Sequence, residues 1–178
     1  EQHGHINAIG FDLYTQMLER TIRELKGEAV VPEARVTLNL GVDIRIPADY
    51  IADERQRLRM YKNIASAADE AERRKLRQEL ADRYGPLPRS LVNLLEYAAL
   101  KAVCERLLIH TLEQRQGEVS VRFHPQTPVA AARLVEFVRS WEISAGAQLT
   151  PTGILRFRVP RAEGWLSELR KLLLSLVP

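Results

Sequence analysis

The sequence predicts an α+β fold: a helical bundle with an early strand or hairpin, followed by a small sheet-and-helix layer. Three changes of hydrophobic period lead there. Val36, Leu38, Leu40, Val42, Ile44 and Ile46 are apolar at every second position, the period of a half-buried strand. Between about residues 53 and 108 the apolar side chains instead recur at three- and four-residue steps, the period of helices packed on one face. Beyond residue 109 the pattern alternates again, strand, helix, strand, helix. The expected organisation is a helical lead-in over residues 1–27, a strand plus helical bundle over 28–108, and a small α/β layer over 109–178. The last two are expected to form one compact unit.

The elements follow in order. Phe11, Tyr14, Leu18, Ile22 and Leu25 lie on one face of an amphipathic helix that Gly27 can stop. Pro32 opens the alternating run, which is read as one strand ending at Pro47, with Gly41 marking a bulge or bend. Asp53 is an N-cap, and the helix after it sets Leu58, Tyr61, Ile64 and Ala65 inward. A more polar helix runs from about Ala68 to Tyr84 with Leu76 and Leu80 inside. Gly85-Pro86-Leu87-Pro88 ends it, glycine as cap and prolines that cannot continue. Leu91, Leu95, Ala98 and Ala102 define a long, mostly buried helix to about Leu108. Leu112–Gln114 and Val119–Phe123 then flank Arg115-Gln116-Gly117-Glu118 as a hairpin. A helix runs from Pro128 to Trp141, a strand from Ile154 to Val159, and Trp165, Leu169, Leu172 and Leu173 make a closing helix.

Composition narrows the function. Among 178 residues, 26 Lys and Arg stand against 23 Asp and Glu, a net charge of +3. Residues 1–88 carry 14 basic and 15 acidic side chains, and residues 89–178 carry 12 and 8. Arginine supplies 21 of the basic residues, a choice that suits carboxylate or phosphate recognition but also a solvated helix face. Cys104 is the only cysteine, which excludes an internal disulfide framework and a CxxC zinc site. No run of about 18 apolar residues is present, and the start Glu-Gln-His-Gly-His lacks a signal peptide's basic end and apolar core. A cytoplasmic globular chain is expected.

The search for catalysis comes out almost empty. There is no GxxxxGK[ST] to wrap a triphosphate, no GxSxG elbow and no HExxH. His3 and His5 form at most a weak metal pinch, and His110 with His124 across the hairpin lacks a third ligand. Cys104 sits among apolar helix neighbours without a placeable base, so an inert buried thiol is expected. Tyr97, Trp141 and Trp165 read as core rather than as stacking platforms. No enzyme activity, cofactor or metal is expected of this chain. Glu79 and Asp82 stand apart: they are three residues apart near a helix C-terminus, where carboxylates oppose the macrodipole. Either they serve a contact, or Arg77 and Arg83 neutralise them as surface pairs. The alternative candidate is a nucleic-acid contact through an arginine stripe of Arg122, Arg133, Arg139, Arg156, Arg158 and Arg161. Arg122, Arg156 and Arg158 are its leading members, the last two sharing one strand face.

Four stretches, in order and spacing, resemble the C-terminal domain of the bacterial transcription-repair coupling factors: GHINAIGFDLYTQMLERTIRELKG, VTLNLGVDIRIPADYI, DERQRLRMYKNIASA, and RQELADRYGPLP with LVNLLEYAALK. The resemblance covers residues 4–108 by motif and 109–178 by pattern and length alone. It implies a regulatory, non-motor domain without an ATP site. In the whole protein, an ATP-driven DNA translocase acting on RNA polymerase, such a domain packs on an N-terminal UvrB-like module. There it covers the surface that UvrA uses, until translocation releases it. It further implies that Glu79 and Asp82 face arginines of that module, and that residues 1–27 continue from the preceding motor segment.

Overall fold

In the computed structural model, which describes residues 25–27, 36–140 and 146–178, the alternating run from Val36 to Ile46 divides at Gly41. Strand β1 is only Thr37–Asn39. Gly41 has φ 59°, a left-handed conformation open to glycine at little cost, and there the chain leaves the ladder. Burial still alternates on both sides: Val36, Leu38 and Leu40 are buried before the turn, Ile44 and Ile46 after it. The expectation of one strand ending at Pro47 is therefore corrected. The period of two was right, but it belongs to two segments in different compact units. One unit holds residues 42–99 and the other holds residues 34–41 with 100–178. The helix read over residues 10–27 lies outside the described residues except at 25–27, as do Trp141, His3 and His5.

The first unit is built on helices α1 (Glu54–Ser66) and α2 (Glu70–Tyr84) and the larger part of α3 (Arg89–Arg106). Asp53 and Asp69 cap α1 and α2, each carboxylate accepting a backbone N–H two residues into its helix, from Gln56 at 2.8 Å and Glu72 at 2.9 Å. The inward stripe of α1 is Met60, Tyr61 and Ile64. Leu58, expected inside, is 45% exposed. It lies about 100° around the helix from half-buried Arg57, off that stripe. The segment before α1 is held by side chains as well as by packing. The Tyr61 hydroxyl accepts from the Ile46 N–H at 2.7 Å in a buried site, and Asn93 Nδ2 donates to the Asp43 carbonyl at 3.2 Å. That bond satisfies a main-chain donor with no ladder partner, so Tyr61 substitutes for a missing strand neighbour.

The second unit is a five-stranded mixed sheet in the order β1-β2-β3-β5-β4. Its further strands are β2 (Ile109–Arg115), β3 (Glu118–Phe123), β4 (Gln148–Leu149) and β5 (Ile154–Arg158). β1 runs parallel to β2, and every other neighbouring pair is antiparallel. The hairpin turn is Gln116-Gly117, at φ 50° and 82°. Positive φ at both central residues is the two-residue turn whose twist suits flanking strands. Helix α4 (Ala131–Ser140) starts three residues after the expected Pro128. It packs Phe137 edge-on against Phe157 with ring centroids 5.3 Å apart. Helix α5 (Trp165–Leu174) buries Leu166, Leu169 and Leu173. Phe157 and Leu155 point inward, so the alternate residues Ile154, Arg156 and Arg158 lie on the opposite, open face. The chain is thus α+β.

Removing the Tyr61 hydroxyl with Tyr61→Phe strands the Ile46 N–H without changing side-chain shape. An unfolding free energy lower by about 1–3 kcal/mol is expected, with an unchanged urea m-value.

Candidate functional site

The end of α2 presents the two carboxylates on a firmly held support. Leu80 is the one buried residue of this fifteen-residue helix, Arg73, Leu76, Ala81 and Tyr84 are half-buried, and the other ten are exposed. Its last turn is fixed from below. The Tyr50 hydroxyl donates to the carbonyls of Leu80 at 3.0 Å and Gly85 at 2.8 Å, and the Tyr50 and Tyr84 rings meet at 5.6 Å. Gly85 caps the helix through its N–H to the Ala81 carbonyl at 3.0 Å. On the outer side Glu79 accepts from Arg83 at 3.3 Å and Asp82 accepts from Gln78 at 2.9 Å. Both carboxylates remain exposed. The neutralisation expected from Arg83 is therefore present, while no bond from Arg77 to either carboxylate occurs among the described residues. A pair with side chains 47% and 51% exposed contributes only a few tenths of a kcal/mol, so an incoming guanidinium can compete for Glu79.

The other candidates separate clearly. Cys104 is fully buried and burial pushes its thiol far above the ordinary range, which removes thiolate chemistry. His124 Nδ1 accepts from the Gln126 N–H at 3.1 Å and is committed to its turn. Among the described residues, no group of three His, Cys, Asp or Glu side chains could hold a metal, and no helix is long and apolar enough to cross a membrane. Tyr97 is fully buried, whereas Trp165 is half-buried beneath the Arg161 guanidinium at 5.3 Å.

The arginine stripe does not form one surface. Arg122, Arg156 and Arg158 share the open face of the sheet, since Arg122 pairs with Ile154 and Ser120 with Arg156. Arg133 and Arg139 belong to α4, which packs on the other face, and Arg133 is paired with Glu136 at 3.7 Å. Arg161 is structural: it donates to the carbonyls of Leu40 and Gly41 and, at 2.8 Å, to Gln114 Oε1.

This arrangement, strand, three helices, then sheet and two further helices, coincides with known proteins. The profile of the family described as the TRCF domain matches residues 40–134. The chain belongs to the TRCF domain family. Its relatives include the transcription-repair-coupling factor of Rickettsia bellii, 32% identical over 159 residues, which are 88% of this chain and 14% of that protein. The factor of Bacillus subtilis is 35% identical over 120 residues, 67% of this chain and 10% of that protein. This TRCF domain thus spans a small part of the length of the factors it matches. A crystal structure of a C-terminal domain of transcription-repair coupling factor superposes with a TM-score of 0.67 at 22% identity. It covers 84% of this chain and 93% of that one, and so shares the fold. The matched region includes Glu79, Asp82 and Arg122 and ends before Arg156 and Arg158.

Sequence reasoning missed Tyr50. It sits in the short connection after Pro47, where no periodicity marks a residue as structural, and only the fold brings it under the end of α2. Burial, with Tyr84 beside it, holds the Tyr50 hydroxyl above its ordinary 10.0. The folded state thus holds this proton more tightly than the unfolded chain. The contribution of the cap is complete below about pH 10 and is lost as pH rises through the folded value. Tyr50→Phe is expected to cost about 0.5–1.5 kcal/mol at neutral pH and to flatten part of the stability loss between about pH 9 and 11. Urea unfolding at both pH values checks this. Tyr61, whose hydroxyl is also raised by burial, contributes to the slope that remains.

Proposed function

We propose that this TRCF domain is a non-catalytic regulatory module of a transcription-repair coupling factor. In the full-length protein it packs on an N-terminal UvrB-like module and masks the surface that UvrA binds. Movement of an ATP-driven motor along DNA then releases it. RNA polymerase and DNA are engaged by other domains, in the cytoplasm, and UvrA is an indirect partner. The supporting observation is the end of α2: Glu79 and Asp82 stand exposed on a helix terminus that Tyr50 and Gly85 fix in place. Because side-chain freedom of the support is already restricted, little ordering cost falls on the contact.

Charge pairs of this kind suit an interface that must open. Rim pairs tune specificity and association rate more than they seal a surface. Tethering within one protein supplies an effective concentration in the mM range. A separate-molecule affinity of about 10–100 μM then keeps the surface mostly covered while leaving it releasable.

The test is a titration of this chain with the UvrB-like module of the same protein, run beside a UvrA-binding assay on the full-length factor. Glu79→Arg and Asp82→Arg are each expected to weaken the titration at least tenfold, about 1.4 kcal/mol, and to let full-length protein bind UvrA without DNA. Their melting temperatures should stay within about 2 °C of the parent, since exposed substitutions away from caps and core cost little. If both reversals leave UvrA binding as weak as in the parent, the masking contact does not lie on α2.

A further inference from the structure

The open face of the sheet carries a feature that the clamp reading leaves unused. A depression of ≈ 380 Å³ lies on it, lined by His110, Thr111, Ser120, Arg122 and Arg156, with Glu113 at one side. An irregularity in strand pairing shapes it. Ile109 pairs with Phe123 but Thr111 pairs with Arg122, so His110 is an extra residue in β2, a β-bulge. Ile109 and Leu112 both point into the core. Regular alternation would allow only one outward residue between them, and the bulge turns both His110 and Thr111 outward. Bulges recur where a side chain is re-aimed at a site.

The lining sets two guanidiniums, Arg122 and Arg156, against one carboxylate, Glu113. Glu118 lies directly opposite both Arg115 and Arg158 and offsets them, and Arg158 also donates to the Gln116 carbonyl at 3.3 Å. Glu113 receives the Asn39 amide at 3.4 Å. Arg122 and Arg156 make no hydrogen bond or ion pair among the described residues. They are diagonal neighbours on adjacent strands, about 7–8 Å apart at the backbone. Two like charges so placed repel unless an anion lies between them, and the hydroxyls of Thr111 and Ser120 line the same space. Guanidiniums with flanking hydroxyls are the groups that grip phosphate oxygens. Ile154 is the one apolar side chain in the lining, and the single ring there is the His110 imidazole, with no Phe, Tyr or Trp to form a base-stacking platform.

We infer that this face binds the phosphate backbone of nucleic acid, with Arg122 and Arg156 as the two principal phosphate contacts and Arg158 as a weaker third. The site reads charge and spacing rather than sequence, so duplex DNA, with its higher charge density, is favoured over a single strand. The inference is independent of the clamp: it uses neither Glu79 nor Asp82, and each can fail alone.

The experiment is fluorescence anisotropy of a labelled 16-base-pair DNA duplex titrated with the 178-residue chain, repeated across a salt series. Saturable binding is expected at low salt with a Kd of about 10–100 μM, equal for two unrelated sequences. The logarithmic salt slope should be about −2 to −3, as two or three phosphate contacts require. Arg122→Gln and Arg156→Gln should each weaken binding roughly three- to tenfold and flatten the slope by about 1. Glu113→Gln should tighten it roughly threefold by removing a repelling charge, which keeps the test open should an arginine variant fold poorly. Absence of saturation at 0.5 mM chain overturns the inference, as does an unchanged slope in a folded Arg122→Gln/Arg156→Gln variant. Polyglutamate of equal charge is the competing probe. If it binds more tightly than the duplex, the face serves an acidic polypeptide and the nucleic-acid assignment is wrong.

Discussion

Much of this fold depends on one strand pairing of a demanding kind. β1 and β2 are neighbours and parallel, so no tight turn can join them, and the chain must travel back before it can pair. The connection runs from Leu40 to Leu108 and contains α1, α2 and α3. An ordinary crossover needs about a dozen residues, whereas here it holds a unit with its own buried interior. Loop-closure entropy grows only logarithmically with length, so such an insertion is tolerated provided the short strand is fixed well. Arg161 does that fixing. Its guanidinium reaches the Leu40 and Gly41 carbonyls at the point where the chain leaves the sheet, and bonds Gln114 of β2 at the same time. The φ of 59° is what calls for glycine at 41, and the missing Cβ also leaves room for Arg161 Nη2, which a Cβ would approach to 2.9 Å.

Where local chemistry alone decides an element, the sequence was sufficient. Asp53 as a cap and Gly85 as a stop are written in adjacent residues and are found where expected, and the hairpin turn falls within the expected Arg115–Glu118, narrowed to Gln116-Gly117 because Arg115 and Glu118 join the strands. The alternating run shows the opposite case. Its period reported burial correctly at Val36, Leu38, Leu40, Ile44 and Ile46, with Val42 beside the turn only half-buried, but period two does not say against what a side chain is buried, nor whether the backbone has a ladder partner. The three-residue extent of β1 depends on Gly41 and on Arg161, 120 residues away in sequence. Leu58 fails for a related reason. Several arcs of an amphipathic helix can look apolar, and the bond from Tyr61 to Ile46 selects which one faces inward.

The candidate sites were legible to different depths. Glu79 and Asp82 stood out because carboxylates at a helix C-terminus run against the dipole. The structure adds why that terminus is firm, through a tyrosine from a loop that carries no pattern. The arginine stripe was half legible. Alternation correctly placed Arg156 and Arg158 together, but only the sheet register shows that Arg122 joins them while Arg133, Arg139 and Arg161 do not. The bulge at His110 left no mark in the sequence at all. An extra residue in one strand is defined by its partner strand, and pairing of Thr111 with Arg122 rather than with Val121 is a tertiary fact.

The edge position of β1 bears on what happens when residues 36–41 come away from the sheet. β2 is seven residues long and, apart from the bulge at His110, alternates buried with more open side chains, and β1 pairs with it only at Thr111, Leu112 and Glu113. Detachment bares a row of unpaired backbone donors and acceptors on a strand otherwise well formed, a ready template for a strand from another copy. A second molecule's β1 fits that row as well as the chain's own does, and the long connection leaves ample reach for exchange. Arg161 is thus a guard against strand swapping as much as a brace. By holding the carbonyls where β1 ends, it keeps the three-residue strand on its own chain and Thr111–Glu113 of β2 covered.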